Sequence, residues 1–462
     1  MTLEPSRHAG PGRPRSGDRD AMRSAAPAAP ATVARRPPLA LRAGAAAVLA
    51  AVLATGCGGG SGGTSAAASA EVEWVRSVMT GLYLYADRVP AADLTGKADA
   101  AQALEALRVD PPDRFSYVET RATYDGFFDD GVSVGLGIGL RIEGETLVLR
   151  FVMPDSPADR AGLRRGDRIA SIDGVAAATL IAARTVSEAL GPAQAGLVVR
   201  LGVSRAGGVD EIALAKASYA VAPILASRLI ERDGTRIGYL ALYTFTETAR
   251  PAWDTAIASL RAAGATRLVV DLRENGGGRL YVAADIAGSL APAAAVGQTF
   301  TELRHNAAHA ADDLSIPMPA RAATGTFERV AWLVSDVTCS AAESLIVGLR
   351  PYRDDPIVGT RTCGKPVGFE PQVRGDTVLS AVSFIGRNRD GFTDWFDGLA
   401  PTCAVSDEPF LAFGDEADPR LAQALQHLST GACGPTAPAA KSAAPVRRLP
   451  AASGLASETG LF

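Results

Sequence analysis

Val334-Ser335-Asp336-Val337-Thr338-Cys339-Ser340-Ala341-Ala342-Glu343, read together with Thr362-Cys363-Gly364-Lys365-Pro366, is the stretch on which fold and chemistry turn. The apolar run Val330 to Val334 leads into it as a strand, and Ala341 to Arg350 leads out as a helix stopped by Pro351. Ser340 is therefore expected at a strand-to-helix turn. There a hydroxyl stands exposed, small neighbours admit a carbonyl, and the helix N-terminus offers N–H groups to a developing oxyanion.

Of the 46 basic residues only Lys97, Lys216, Lys365 and Lys441 are lysine. A chain so biased towards arginine keeps lysine where arginine fails. Arginine cannot be deprotonated in a protein, whereas a desolvated lysine can lose its proton and then accept one from a serine hydroxyl. Two readings stand on these residues alone: Ser340 as nucleophile with Lys365 as its base, or a helix N-cap serine beside a surface lysine in a turn.

The 462 residues, 47% of them hydrophobic, suffice for two or three domains, and a net charge of −4 argues against a general nucleic-acid surface. Residues 1–56 read as a leader with signal peptide, Met22 being an alternative start. Arg35, Arg36 and Arg42 precede an uncharged apolar run from Ala43 to Gly56, too short to span a bilayer but suited to a signal-peptide core. It ends in Leu53-Ala54-Thr55-Gly56-Cys57, which resembles the lipobox of bacterial lipoproteins. That resemblance implies a lipidated Cys57 at the mature N-terminus, a flexible tether over residues 57–70, and a place on the periplasmic side of a membrane. Gly58, where aspartate favours inner-membrane retention, points to the outer membrane. The alternative is an ordinary secretory signal followed by an unmodified cysteine.

Cys339, Cys363, Cys403 and Cys433 remain, an even number that allows three disulfide pairings. If Ser340 and Lys365 meet, Cys339 and Cys363 come close. Cys339–Cys363 with Cys403–Cys433 is thus the favoured set, free thiols the alternative.

After the tether, Trp74, Val75, Val78, Met79, Leu82 and Tyr85 fall at helical spacing, and a second helix is expected over Ala98 to Leu107, giving a helical segment over 71–131. Then come Val134-Gly135-Leu136-Gly137-Ile138-Gly139-Leu140, Ser156-Pro157-Ala158-Asp159-Arg160-Ala161-Gly162-Leu163, Gly166-Asp167-Arg168-Ile169 and Ile172-Asp173-Gly174. The glycines lack the helix and acidic residue of a dinucleotide site. The series resembles a PDZ domain over 132–205. The resemblance implies that Gly137, Ile138 and Gly139 hold the terminal carboxylate of a peptide that adds as a strand.

From Gly234 strands and helices alternate: Arg236–Phe245, Arg250–Ala263, Arg267–Leu272, Leu280–Leu290, then the strand and helix around Ser340 and a strand at Pro356–Thr360. Such alternation predicts an α/β fold with a parallel sheet covered by helices and a site beyond the strands' carboxyl ends. Asp271-Leu272-Arg273-Glu274-Asn275-Gly276-Gly277-Gly278 is the second unusual loop there, an oxyanion cradle or a plain tight turn.

The order and spacing of DLRENGGG, TCSAAE and GKP, after the PDZ-like segment and a strand reading GYLALYTF, resemble the C-terminal processing (tail-specific) peptidases over about residues 71–433. The resemblance implies a ClpP/crotonase-like parallel-sheet core over 206–433 with an inserted PDZ domain, no cofactor, and a Ser-Lys dyad. Carried over, Ser340 is the nucleophile, Lys365 the base twenty-five residues later, and Gly277 and Ala341 the oxyanion donors. The family's glutamine four residues after the lysine is Phe369 here. Gln372 is the expected substitute for orienting Lys365, with Glu343 as the alternative. Substrates are expected to be proteins or peptides with apolar C-termini, and the tail over 434–462 is expected to lack structure, its Leu461-Phe462 end being able to enter the PDZ groove. Two other readings compete: a non-catalytic tethering protein that binds C-termini, and hydrolysis or binding of small hydrophobic ligands on the same fold. His305 and His309, four apart, lack a third ligand pattern for a metal.

Overall fold

The computed structural model describes residues 62–406, 409–435 and 446–447. Cys57 and the Leu461-Phe462 end lie outside the described residues. Helix α1 (Gly62–Thr80) begins within the expected tether, because Ser65 to Ala70 is rich in alanine, the strongest helix former. Helix α2 (Ala100–Leu107) is capped by the Asp99 side chain, which accepts from the Gln102 N–H. Val75, Met79, Tyr83, Leu104 and Leu107 do not form a free-standing cluster. They pack with Val367, Leu379 and Val382, so the N-terminal helices back the segment that follows Lys365.

The PDZ segment holds β1 (Ile138–Glu143), β2 (Thr146–Val152), β3 (Arg168–Ile172), β4 (Val198–Arg205) and β5 (Gly208–Ala215), hydrogen-bonded in that order. Leu140, Leu147, Leu149, Ile169, Leu201 and Val203 form its core. The expected boundary at 205 falls inside a hairpin. β4 needs β5 as its partner along all eight residues, from Val198↔Ala215 to Arg205↔Gly208, so this sheet runs on to Ala215.

The sheet of the peptidase segment has the order β6 (Ile224–Arg232), β7 (Thr235–Leu242), β8 (Arg267–Asp271), β9 (Arg329–Val334), β10 (Ile357–Gly359), β11 (Cys403–Ala404). β6 and β7 form an antiparallel hairpin, and from β7 onward every neighbour is parallel. Alternate residues face opposite sides, and both sides are apolar, which is why these strands read as continuous hydrophobic runs. Leu240, Val270 and Trp332 face α3 (Ala249–Ala262), α4 (Leu280–Leu290) and α5 (Ala341–Leu349), which supply Trp253, Ile286 and Leu345. Tyr239, Val269 and Leu333 face α6 (Pro419–Thr430) through Leu421, Leu425 and Leu428. A tail strand, β12 (Val446–Arg447), lies antiparallel on β1.

Beneath the carboxyl end of β8 lies a buried charge cluster. Arg273 bonds Asp271 and reaches Asp418, the N-cap of α6, at 2.5 Å, and Tyr239 donates to Asp271 at 2.5 Å. Burial works most strongly to raise the Asp271 and Asp418 carboxyls, but the Arg273 guanidinium, together with the Tyr239 hydroxyl at Asp271 and the Arg420 guanidinium at Asp418, outweighs it and holds both below the usual range. A depressed carboxylate adds stability above its unfolded pKa of about 3.9 and loses it as pH falls through the folded value. Stability is therefore expected to fall steeply below about pH 4, and Asp418→Asn, already weaker at neutral pH, to flatten that limb; urea titrations at pH 7 and pH 3 check this.

Candidate active site

β9 ends at Val334, and the following loop is stitched to the loop after β8 residue by residue. Ser335 Oγ donates to the Arg273 carbonyl at 2.6 Å, Thr338 Oγ1 to the Leu272 carbonyl at 2.7 Å, and the Cys339 N–H to the Asn275 carbonyl at 3.1 Å. Ser340 then takes φ +55° and ψ −119°, left-handed for a residue with a Cβ, before α5 begins at Ala341. Such strain persists only where the surroundings over-determine it, as at nucleophile turns between strand and helix. The surroundings include Gly277, at φ +118°: a Cβ there would lie 2.8 Å from Ser340 Cβ and 3.2 Å from Ala341 N. Only glycine lets the two loops approach this closely.

Glu343, fully buried in the first turn of α5, joins the serine loop to the lysine loop. Its carboxylate accepts the N–H of Ser340 at 3.1 Å, of Gly364 at 2.9 Å and of Lys365 at 2.8 Å, and the Thr362 hydroxyl. Burial raises the Glu343 carboxyl above its ordinary range, and these four donors oppose the shift. The Cys339–Cys363 disulfide, with Cα atoms 5.2 Å apart, ties the same loops covalently; Cys403 and Cys433 form the second bridge. Both expected pairings are present.

Lys365 is 3% exposed, its Nζ 4.1 Å from the ring centre of Phe369 and 5.3 Å from that of Phe115. The position where the family has glutamine thus carries a wall of the lysine pocket. Gln372 sits on the short strand Gln372–Arg374, in a separate sheet with Tyr117–Thr120 and Thr377–Ser380, and its amide NH₂ donates to the Glu370 carbonyl at 2.9 Å. Glu343 grips Lys365 by its backbone N–H. Gly277 also differs from expectation, since its N–H donates to Asn275 Oδ1 at 2.8 Å. Its contribution to the cradle is the missing Cβ.

Ser340 and Ala341 open onto a cavity of about 360 Å³, lined by Leu303, Leu314, Ile316, Phe369, Phe384 and Gly278 among others. His305 and His309 do not converge. His305 stands between Asp313 at 3.3 Å and Glu370 at 3.2 Å, while His309 meets Asp312 at 2.8 Å. Among the described residues the one metal-like grouping is Cys339, Glu343 and Cys363, whose two sulfurs are already joined to each other.

In the PDZ segment, Gly137 has φ +77° and its missing Cβ leaves room for Ser156, while a Cβ at Gly139 would strike the Phe151 ring; Ile138 is buried in the segment's core. Two sets of ion pairs carry this segment onto the loops after β8 and β9. Arg150 and Arg165 both clasp Glu274, at 2.6 Å and 2.8 Å with all three side chains buried, and Arg141 faces Asp336 at 3.4 Å. No local pattern in the sequence signals these pairs.

Residues 236–383 match peptidase family S41, residues 150–201 the PDZ domain, and residues 70–117 the peptidase S41 N-terminal domain. The chain carries an S41 peptidase domain and a PDZ domain. The S41 relatives include the carboxyl-terminal-processing protease of Synechocystis sp., 28% identical over 233 residues, covering 50% of this chain and 52% of the relative. They include also the carboxy-terminal processing protease CtpA of Bacillus subtilis, 27% identical over 245 residues, with 52% and 49% covered. The chain spans about half the length of the curated relatives it matches. In fold it is similar to the crystal structure of an S41-type protein from Bacteroides fragilis, with TM-score 0.64 and 23% identity, covering 77% of this chain and 97% of the other.

Proposed function

We propose that this protein is a serine endopeptidase of the C-terminal processing type, with Ser340 as nucleophile and Lys365 as general base. The observation that carries this is the clamp of Glu343 and Cys339–Cys363, which holds the serine and lysine loops together beside an apolar cavity. Ser340 Oγ attacks the scissile carbonyl as its proton passes to Lys365 Nζ, and Lys365 then returns a proton to the leaving amine. Water resolves the acyl-enzyme by the same route in reverse. The Ala341 N–H, at the start of α5, faces the oxyanion. With the Gly277 N–H engaged by Asn275, the N–H of Gly278, which lines the same cavity, is the second donor. The cavity takes an apolar side chain next to the cleaved bond.

The PDZ segment selects substrates by an apolar C-terminus, which adds to the outer edge of β1 with its carboxylate at the Gly137 loop. Lipidated Cys57 holds the protein on the periplasmic side of a bacterial membrane, the outer rather than the inner. The test is degradation of a loosely folded reporter ending in three apolar residues against one ending in charged residues. The expected result is at least tenfold higher kcat/KM for the apolar end, about the value of a few buried methylenes. Equal rates would overturn C-terminal selection while leaving the dyad standing.

A further inference from the structure

The tail strand β12 is placed where a substrate's end would have to go. β1 has two edges. One is bonded to β2 along six register pairs, from Ile138↔Val152 to Glu143↔Thr146, which leaves the outer edge for any added strand. That edge holds β12, antiparallel, with Val446 opposite Glu143 and Arg447 opposite Ile142. Its direction matters: the tail runs from the far end of β1 towards Ile138 and the Gly137 loop, the direction in which a C-terminal ligand lies in such a groove. A strand edge bonds one partner at a time, so tail and ligand exclude each other.

We infer that the segment around Val446-Arg447 is a built-in, displaceable occupant of the peptide edge of β1, competing in cis with the C-terminus of a substrate. This rests on the reading of that groove as a C-terminus site. The sequence suits a weak occupant. Pro445 and Pro450 bracket Val446-Arg447-Arg448-Leu449, and proline has no N–H with which to extend a ladder, so pairing is confined to a few residues. Only ten residues, 436–445, connect this strand to the described segment that ends at Pro435. So short a connection gives the tail a local concentration on the order of millimolar, enough to compete with micromolar substrates despite a weak contact.

The test compares the full chain with its V446P/R447P variant, which cannot donate to β1. Two quantities are read: affinity for a fluorescein-labelled decapeptide ending in three apolar residues, and backbone hydrogen exchange of the segment 138–143. Release of the tail is expected to tighten peptide binding by about three- to tenfold and to speed exchange across 138–143. A synthetic 441–452 peptide added in trans should restore slower exchange to the variant. Equal peptide affinities, or unchanged exchange, would overturn the proposal. If the peptide binds neither form, the C-terminus reading of the groove fails, and exchange alone decides whether the tail occupies the edge.

Discussion

Lys365→Arg is expected to abolish peptide cleavage as completely as Lys365→Ala or Ser340→Ala, by about 10³- to 10⁴-fold in kcat or more. Arginine keeps the charge and much of the length, so a lysine acting by charge or packing would tolerate the change. A base would not, because a guanidinium does not give up its proton in a protein. The residue is 3% exposed, its Nζ held near the Phe115 and Phe369 rings, so the substitution reads proton transfer in an enclosed pocket. Single-turnover assays on an ester and a peptide of the same sequence measure it. Retained activity in K365R would exclude Lys365 as the base and return the serine to its alternative reading as a helix cap.

Glu343→Ala is expected to be the most damaging change to the fold around the site. It strips acceptors from three backbone N–H groups and a hydroxyl, buried or nearly so, on two loops otherwise joined by the disulfide and by the Cys363 N–H donating to the Thr338 carbonyl at 3.0 Å. Each buried donor left without a partner costs about 1–3 kcal/mol, so a loss on the order of 3–5 kcal/mol is expected even after water enters. Glu343→Gln keeps one acceptor oxygen and sets an NH₂ group against the remaining donors, giving an intermediate loss. Urea melts report the stability, and kcat should fall further than stability alone explains, since misplacing the serine by about an ångström costs on the order of 100-fold. A variant as stable as the parent would mean that the disulfide and the Cys363–Thr338 backbone bond hold the loops without Glu343.

Much of this was legible in the sequence because it is local or periodic. The apolar runs Val330–Val334 and Arg267–Leu272 announced buried parallel strands, and lysine among arginines singled out Lys365. The serine turn followed from the strand before it and the helix after it. What escaped was long-range or depended on backbone detail. The place of Gln372, on a strand paired with Thr377–Ser380 and with its amide on the Glu370 carbonyl, was not legible in the sequence. Gly277 was expected to donate to the oxyanion, but Asn275, two residues earlier, takes that N–H. The link from Arg150 and Arg165 to Glu274 joins positions more than a hundred residues apart, and no periodicity reports such a pair.

The walls of the lysine pocket have a consequence for synthesis. Phe115 and the helices before it come from the first quarter of the chain, whereas Lys365 and the strands those helices pack against come from the last third. Arg114 completes the enclosure by bonding the Cys363 carbonyl, 249 residues away. A chain emerging from the ribosome makes its early contacts first and closes distant ones last. The N-terminal helices and the PDZ segment therefore appear before the pocket around Lys365 exists. On the proposed reading of Ser340 and Lys365, a half-made molecule holds no assembled cleaving centre until the last strands arrive.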